Sequence, residues 1–203
     1  MKIKICGITS LADAKAAASL QADFLGFIFA KSPRKISVAR AERIIYRLPI
    51  DVKAVGVFVN EDADKVNQVV CRLALPYVQL HGDESPEYCA KIKTRVIKVI
   101  RPRSRKDLEE IKKYKDVFAV LLDTYSKTKR GGTGKTLDWK LAKEAKKYHP
   151  HIMLSGGLTP ENVAEAVKKV KPFAVDVSSG VEKSPGKKNI QGLRKFIHNA
   201  RIG

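Results

Sequence analysis

The chain has 203 residues, 44% hydrophobic and 30% charged, which suits one full core and excludes both a disordered chain and a membrane protein. Lys and Arg number 40 against 21 Asp and Glu, for a net charge of +19; such charge fits a nucleic-acid surface, an anionic small substrate or the charged exterior of a heat-adapted protein. No apolar run reaches the length of a membrane span, the N-terminus enters a strand pattern with no signal peptide, and Cys6, Cys71 and Cys89 form no C-x-x-C pair, so a cytoplasmic protein is expected.

The first run, Lys2–Cys6, alternates Ile3 and Ile5 with lysines and ends on a thiol; Gly7 breaks it, and Thr9 or Ser10 can cap the helix that follows. Further strand patterns fall at Phe24–Phe29, Ala54–Val59, Tyr77–Leu80, Val96–Ile100, Ala119–Asp123, Ile152–Leu154 and Ala174–Val177. Amphipathic helical patterns alternate with them at Ser10–Leu20, Val38–Arg47, Ala63–Leu73, Pro86–Ile92, Arg105–Tyr114, Trp139–Tyr148, Pro160–Val170 and Ile190–Arg201. Strands apolar on both faces, such as Phe24-Leu25-Gly26-Phe27-Ile28-Phe29, are those of a parallel sheet covered by crossover helices. Eight strand–helix units predict a single-domain (β/α)8 TIM barrel over residues 1–203. A doubly wound open sheet would bring a Gly-rich dinucleotide turn after its first strand, and Cys6-Gly7-Ile8-Thr9 is not one. The lysines are spread through the helices, which favours a solvated face over a nucleic-acid stripe.

In such a barrel the active site sits at the C-terminal ends of the strands. In chain order these ends carry Cys6, the loop to Arg34, Asn60, Gln79 with His81-Gly82-Asp83, Arg101, Asp123, Ser155-Gly156-Gly157 and Ser178-Ser179-Gly180. The loops after strands seven and eight are the usual phosphate site of this fold, and Gly156, Gly157, Ser178, Ser179 and Gly180 can aim backbone N–H groups at an anion. Thr159 is expected to cap a helix whose first position is Pro160. Asp123, at the tip of an apolar strand, suits a general acid or a turn-capping carboxylate; across a barrel mouth from Cys6 the two make an acid/base pair without metal or cofactor. Arg34 can fork onto a substrate carboxylate, and His81 can carry a proton or touch substrate. Gly131-Gly132-Thr133-Gly134-Lys135-Thr136 is not a Walker loop, whose first Gly would fall at Lys129; it reads as a lid over an anionic substrate. Cys71 and Cys89 lie in helical patterns and are expected in the core, and four His without ligand spacing argue against a metal.

Taken together, Lys4-Ile5-Cys6-Gly7-Ile8-Thr9, Gly26-Phe27-Ile28-Phe29 with Ser32-Pro33-Arg34, Val78-Gln79-Leu80-His81-Gly82-Asp83-Glu84 and Leu121-Leu122-Asp123 form the first part of a pattern. It continues through Gly131–Gly134 to Asp138-Trp139, then Gly156-Gly157-Leu158-Thr159-Pro160-Glu161-Asn162-Val163, Asp176–Glu182 and Ser184–Lys188. In this order and spacing the chain resembles the phosphoribosylanthranilate isomerase family of tryptophan biosynthesis. Leu137 stands where that family is expected to have Phe, Ser155 where it has Ala and Asn189 where it has Asp. The resemblance implies an aldose–ketose isomerase that turns N-(5-phospho-β-D-ribosyl)anthranilate into 1-(2-carboxyphenylamino)-1-deoxy-D-ribulose 5-phosphate by an Amadori rearrangement. It implies no cofactor, Cys6 as general base, Asp123 as general acid, Arg34 on the anthranilate carboxylate, and the Gly and Ser loops as phosphate cradle. Gln79 and His81 complete the expected substrate contacts. The partner is then a small anion rather than nucleic acid or membrane, and the protein a monomer or homodimer. A histidine-pathway isomerase of the same architecture is the nearest rival; it uses two aspartates, against Cys6 here.

Overall fold

A computed structural model describes residues 1–124 and 138–203, so the proposed lid, Gly131–Thr136, lies outside the described residues. The strands are β1 (Lys2–Cys6), β2 (Phe24–Ile28), β3 (Lys53–Phe58), β4 (Tyr77–Leu80), β5 (Arg95–Ile100), β6 (Ala119–Leu122), β7 (Ile152–Leu154) and β8 (Ala174–Val177). Each boundary falls within one residue of its expected place. Neighbours pair in parallel in chain order, and β8 closes on β1 with Lys4 opposite Asp176. The (β/α)8 barrel is therefore as the sequence pattern predicted.

Strand parity sorts the core. Ile3, Ile5, Leu25, Phe27, Val78, Leu80, Val120, Leu122 and Val175 pack outward among the helices, whereas Phe24, Val55, Tyr77, Ile97, Leu121, Met153 and Ala174 fill the barrel. Further along the same interior faces lie the polar groups and the thiol: Lys4 and Cys6 on β1, Gln79 on β4, Asp123 after β6, and Asp176 on β8.

The covering helices are α1 (Leu11–Ser19), α2 (Val38–Ile45), α3 (Ala63–Leu73), α4 (Pro86–Ala90), α5 (Trp139–Ala145), α6 (Val163–Val170) and α7 (Ile190–Ile202). Side-chain oxygens of Ser10, Ser37, Asp62, Ser85, Asp138 and Asn189 accept from first-turn N–H groups and fix where six of them begin. Three expectations are corrected. The fifth helical segment, Lys106–Tyr114, is a 3₁₀ helix, and its buried residues Leu108, Ile111 and Tyr114 recur at the period of three that suits one. Helix α6 starts at Val163, because Thr159 and Asn162 satisfy one another first: Asn162 Oδ1 accepts from Thr159 N at 2.8 Å, while Thr159 Oγ1 accepts from Glu161 N. Cys71 is exposed, since the buried stripe of α3 runs Val66, Val70, Leu73 and leaves the next position to solvent.

One element was not anticipated. After a short 3₁₀ turn at Ser179–Val181, β9 (Glu182–Ser184) and β10 (Lys187–Lys188) form an antiparallel hairpin, turning at Gly186 with φ +79. It folds back over β1 and buries Lys188 beside Cys6. Among the described residues no helix is long and apolar enough to cross a membrane.

Candidate active site

The C-terminal mouth of the barrel holds a cavity of about 800 Å³, lined by Cys6, Arg34, Gln79, His81, Asp123, Gly156, Gly157, Ser178, Ser179 and Gly180. Asn60 and Arg101, also at strand ends, have other work. Asn60 sits at φ +48 and takes the Asp83 N–H on its Oδ1, and Arg101 approaches Asp83 at 3.9 Å, so both organise the loop after β4.

On one wall Asp123 is 3% exposed. Its Oδ1 accepts the Thr124 N–H at 2.8 Å, and its Oδ2 lies 3.2 Å from His81 Nε2, off the line of a good hydrogen bond. Gln79 reaches His81 Nδ1 with its amide nitrogen at 3.0 Å. An amide NH₂ only donates, so in this arrangement Nδ1 is the acceptor, which in a neutral imidazole assigns the proton to Nε2, facing Asp123. Below the His81 loop, the buried Lys98–Glu84 pair, 2.7 Å apart, fixes it: Glu84 accepts the Gly82 N–H and Lys98 donates to the Gly82 carbonyl.

On the opposite wall Cys6 is 5% exposed. Burial pushes its thiol above its ordinary pKa; the Lys4 ammonium pulls back, Asp176 pushes the same way as burial, and Lys188 pulls back again. Lys188 donates to the carbonyls of Cys6 and Ser178 and pairs with Glu182 at 2.9 Å. Glu182 in turn takes Arg34 through Nε and Nη2 at 2.7–3.0 Å. Burial works against the Glu182 charge, but the Arg34 and Lys188 donors outweigh it and hold the carboxyl below its ordinary value. Arg34 is thus a fixed fork whose Nη1 end is left for the cavity.

The third wall is backbone. Gly156 and Gly157 hold φ +83 and +69, and a Cβ on Gly156 would stand 2.7 Å from the Thr124 nitrogen. A Cβ on Gly180 would stand 2.1 Å from the Leu158 carbonyl oxygen. The loop after β7 can pack this closely on the loops after β6 and β8 only with glycine at 156 and 180.

Four buried side-chain polar atoms among the described residues have no hydrogen-bond partner, and three belong to this lining: Gln79 Oε1, His81 Nε2 and Ser178 Oγ. Buried polar atoms are normally satisfied, so their gathering in one cavity marks a place built to meet a polar ligand. No group of three or more metal-ligating side chains occurs among the described residues.

Sequence reasoning passed over four contributors: Lys4, Asp176, Glu182 and Lys188. Lys4 had a legible signal, because it lies two residues from Cys6 and hence on the same face of β1. Asp176 had the same signal relative to Ser178. Glu182 and Lys188 depended on the hairpin, which has no apolar alternation to announce it.

The family model for N-(5'phosphoribosyl)anthranilate (PRA) isomerase matches residues 3–199. An N-(5'-phosphoribosyl)anthranilate isomerase of Trichlorobacter lovleyi is 54% identical over 99% of this chain and 98% of its own, and one of Geobacter metallireducens is 48% identical over 99% of each. Among solved structures, phosphoribosyl anthranilate isomerase from Thermotoga maritima is 45% identical, with a TM-score of 0.93 over 99% of this chain and 98% of that one. Another phosphoribosyl anthranilate isomerase structure, a complex with reduced 1-(o-carboxyphenylamino)-1-deoxyribulose 5-phosphate, is 43% identical with a TM-score of 0.90, covering 99% and 98% of the two chains.

Proposed function

The chain belongs to the phosphoribosylanthranilate isomerase family, and from that premise we propose how its own residues carry the reaction. It is an isomerase of tryptophan biosynthesis, acting on N-(5-phosphoribosyl)anthranilate. The observation that carries the assignment of roles is that Cys6 and Asp123 line one cavity together with Arg34 and the glycine loops.

The substrate phosphate lies against Gly156, Gly157 and Gly180, with the Ser178 and Ser179 groups beside them. The anthranilate carboxylate meets the Nη1 end of Arg34, which Glu182 holds in place. Gln79 Oε1 and His81 Nε2, both unpartnered, accept from and donate to the sugar hydroxyls. Asp123 gives a proton to the furanose ring oxygen; the C1′–O bond breaks and the nitrogen lone pair forms the Schiff base. Cys6, as thiolate, removes the C2′ proton, and the electrons of that C–H bond become the enolamine double bond. Tautomerisation to the ketone completes an internal redox exchange in which C1′ is reduced and C2′ oxidised, with no cofactor. The net charge of +19 favours capture of this anion.

The test is depletion of freshly generated phosphoribosylanthranilate, followed by its fluorescence, beside the histidine-pathway phosphoribosyl aminoimidazole substrate. Rapid turnover of the first without added cofactor supports the reading; turnover of the second alone overturns it.

A further inference from the structure

Lys4 is fully buried inside the barrel, 2.8 Å from Asp176 across the β1–β8 register. A buried ion pair of this kind is a poor stabiliser, since apolar residues of the same size often do as well or better. What the pair adjoins is Cys6. A Cβ on Gly26 would stand 2.8 Å from Cys6 Sγ and 3.2 Å from Lys4 Nζ, so sulfur and ammonium share one small space that a glycine leaves open. Resting on the reading of Cys6 as base, we propose that Lys4 is the positioning residue for its proton transfer: held by Asp176, the ammonium stabilises the Cys6 thiolate. Asp176 holds the ammonium in place and tempers its pull on the sulfur.

Among the described residues, the other charges facing Cys6 are Lys188 from β10, itself bound by Glu182 and through it Arg34, and Asp123 with His81 across the cavity. Lys4 shares the space beside Gly26 with the sulfur and, unlike Lys188, has no carbonyl to satisfy. Burial opposes its charge, but Asp176 and the sulfur outweigh that and keep it an ammonium. Ser155 donates to the second Asp176 oxygen at 3.2 Å. That bond draws Asp176 charge away from Lys4 and leaves more of the ammonium for sulfur.

The experiment uses the full chain with Cys71→Ser, which removes the exposed thiol. Alkylation of Cys6 by iodoacetamide is read site by site by mass spectrometry from about pH 6 to 10, where thiolates form, together with kcat and KM over the same range. The charge-balanced variant Lys4→Met with Asp176→Asn is expected to raise the alkylation midpoint by about one pH unit or more. The rising limb of kcat should move with it, lowering kcat near neutrality about tenfold while KM changes little. An unchanged midpoint in a folded variant overturns the proposal. A midpoint that moves while the kcat limb stays put upholds the hold of Lys4 on the thiolate and removes Cys6 from the role of base, which separates the two readings. Should the core variant not fold, Ser155→Ala is the second test: the midpoint rises by about a few tenths of a unit, and no rise overturns the proposal.

Discussion

His81 Nε2 and Asp123 Oδ2 lie 3.2 Å apart on one wall of the cavity, and Gln79 holds the far side of the same imidazole at 3.0 Å. The ring is therefore presented to Asp123 in one orientation, as a contact that positions the acid. His81→Asn is expected to lower kcat about tenfold, less than the ~10²–10⁴ for loss of a general acid or base. Steady-state kinetics on both variants compare the two directly. Equal losses for His81→Asn and Asp123→Asn would make His81 a proton carrier in its own right.

Gly26 sits where a methyl group would press on Cys6 Sγ at 2.8 Å and on Cys6 Cα at 3.1 Å. Gly26→Ala should fold with a loss of about 1–3 kcal/mol from overpacking. Its kcat should fall by more than tenfold, because the displaced atom is the proposed base. Thermal unfolding alongside turnover separates the two effects.

Gly180 is the contact between the two proposed phosphate loops, with the Leu158 oxygen 2.1 Å from its missing Cβ. Gly180→Ala must part those loops. We expect KM for the phosphorylated substrate to rise about tenfold or more, as phosphate contacts that position the substrate are lost. Inorganic phosphate should compete weakly against wild type and still less against the variant.

Glu182 is held below its ordinary pKa by Arg34 and Lys188, against the cost of burial. A depressed carboxyl contributes stability that is present above its unfolded value of about 4.5 and is lost as pH falls through the folded value. Glu182→Gln should cost about 3 kcal/mol near neutrality, since it leaves buried cations without their counter-charge. The difference in Tm from wild type should shrink below about pH 4.5 as the wild-type carboxylate is protonated. A difference that stays constant down to acid pH would contradict this. The variant should also raise KM by loosening Arg34.

The barrel was legible because its evidence is local and repeated: apolar strand, polar tip, amphipathic helix, with caps such as Ser37 and Asp62 marking the starts. The cavity lining was legible for a topological reason, since chain order alone sends every strand end to one mouth. The internal charges were not. Lys2 and Lys4 look alike in sequence as the polar half of an alternating strand, yet Lys2 reaches solvent and Asp23 while Lys4 is enclosed with Asp176. In a closed barrel both faces of a strand are buried over most of its length, so a polar alternate points to the interior rather than to water. The Glu182–Lys188 clamp was illegible for another reason: it depends on a short hairpin whose turn at Gly186 is settled by contact with Thr9 and Pro33.

The most direct test of the account is turnover of phosphoribosylanthranilate by wild type, Cys6→Ala and Asp123→Asn, each confirmed folded. The account predicts rapid cofactor-free conversion by wild type and a loss of at least ~10²-fold in kcat for each variant. Wild-type rates in either variant would contradict it and move that proton carrier to another residue of the cavity.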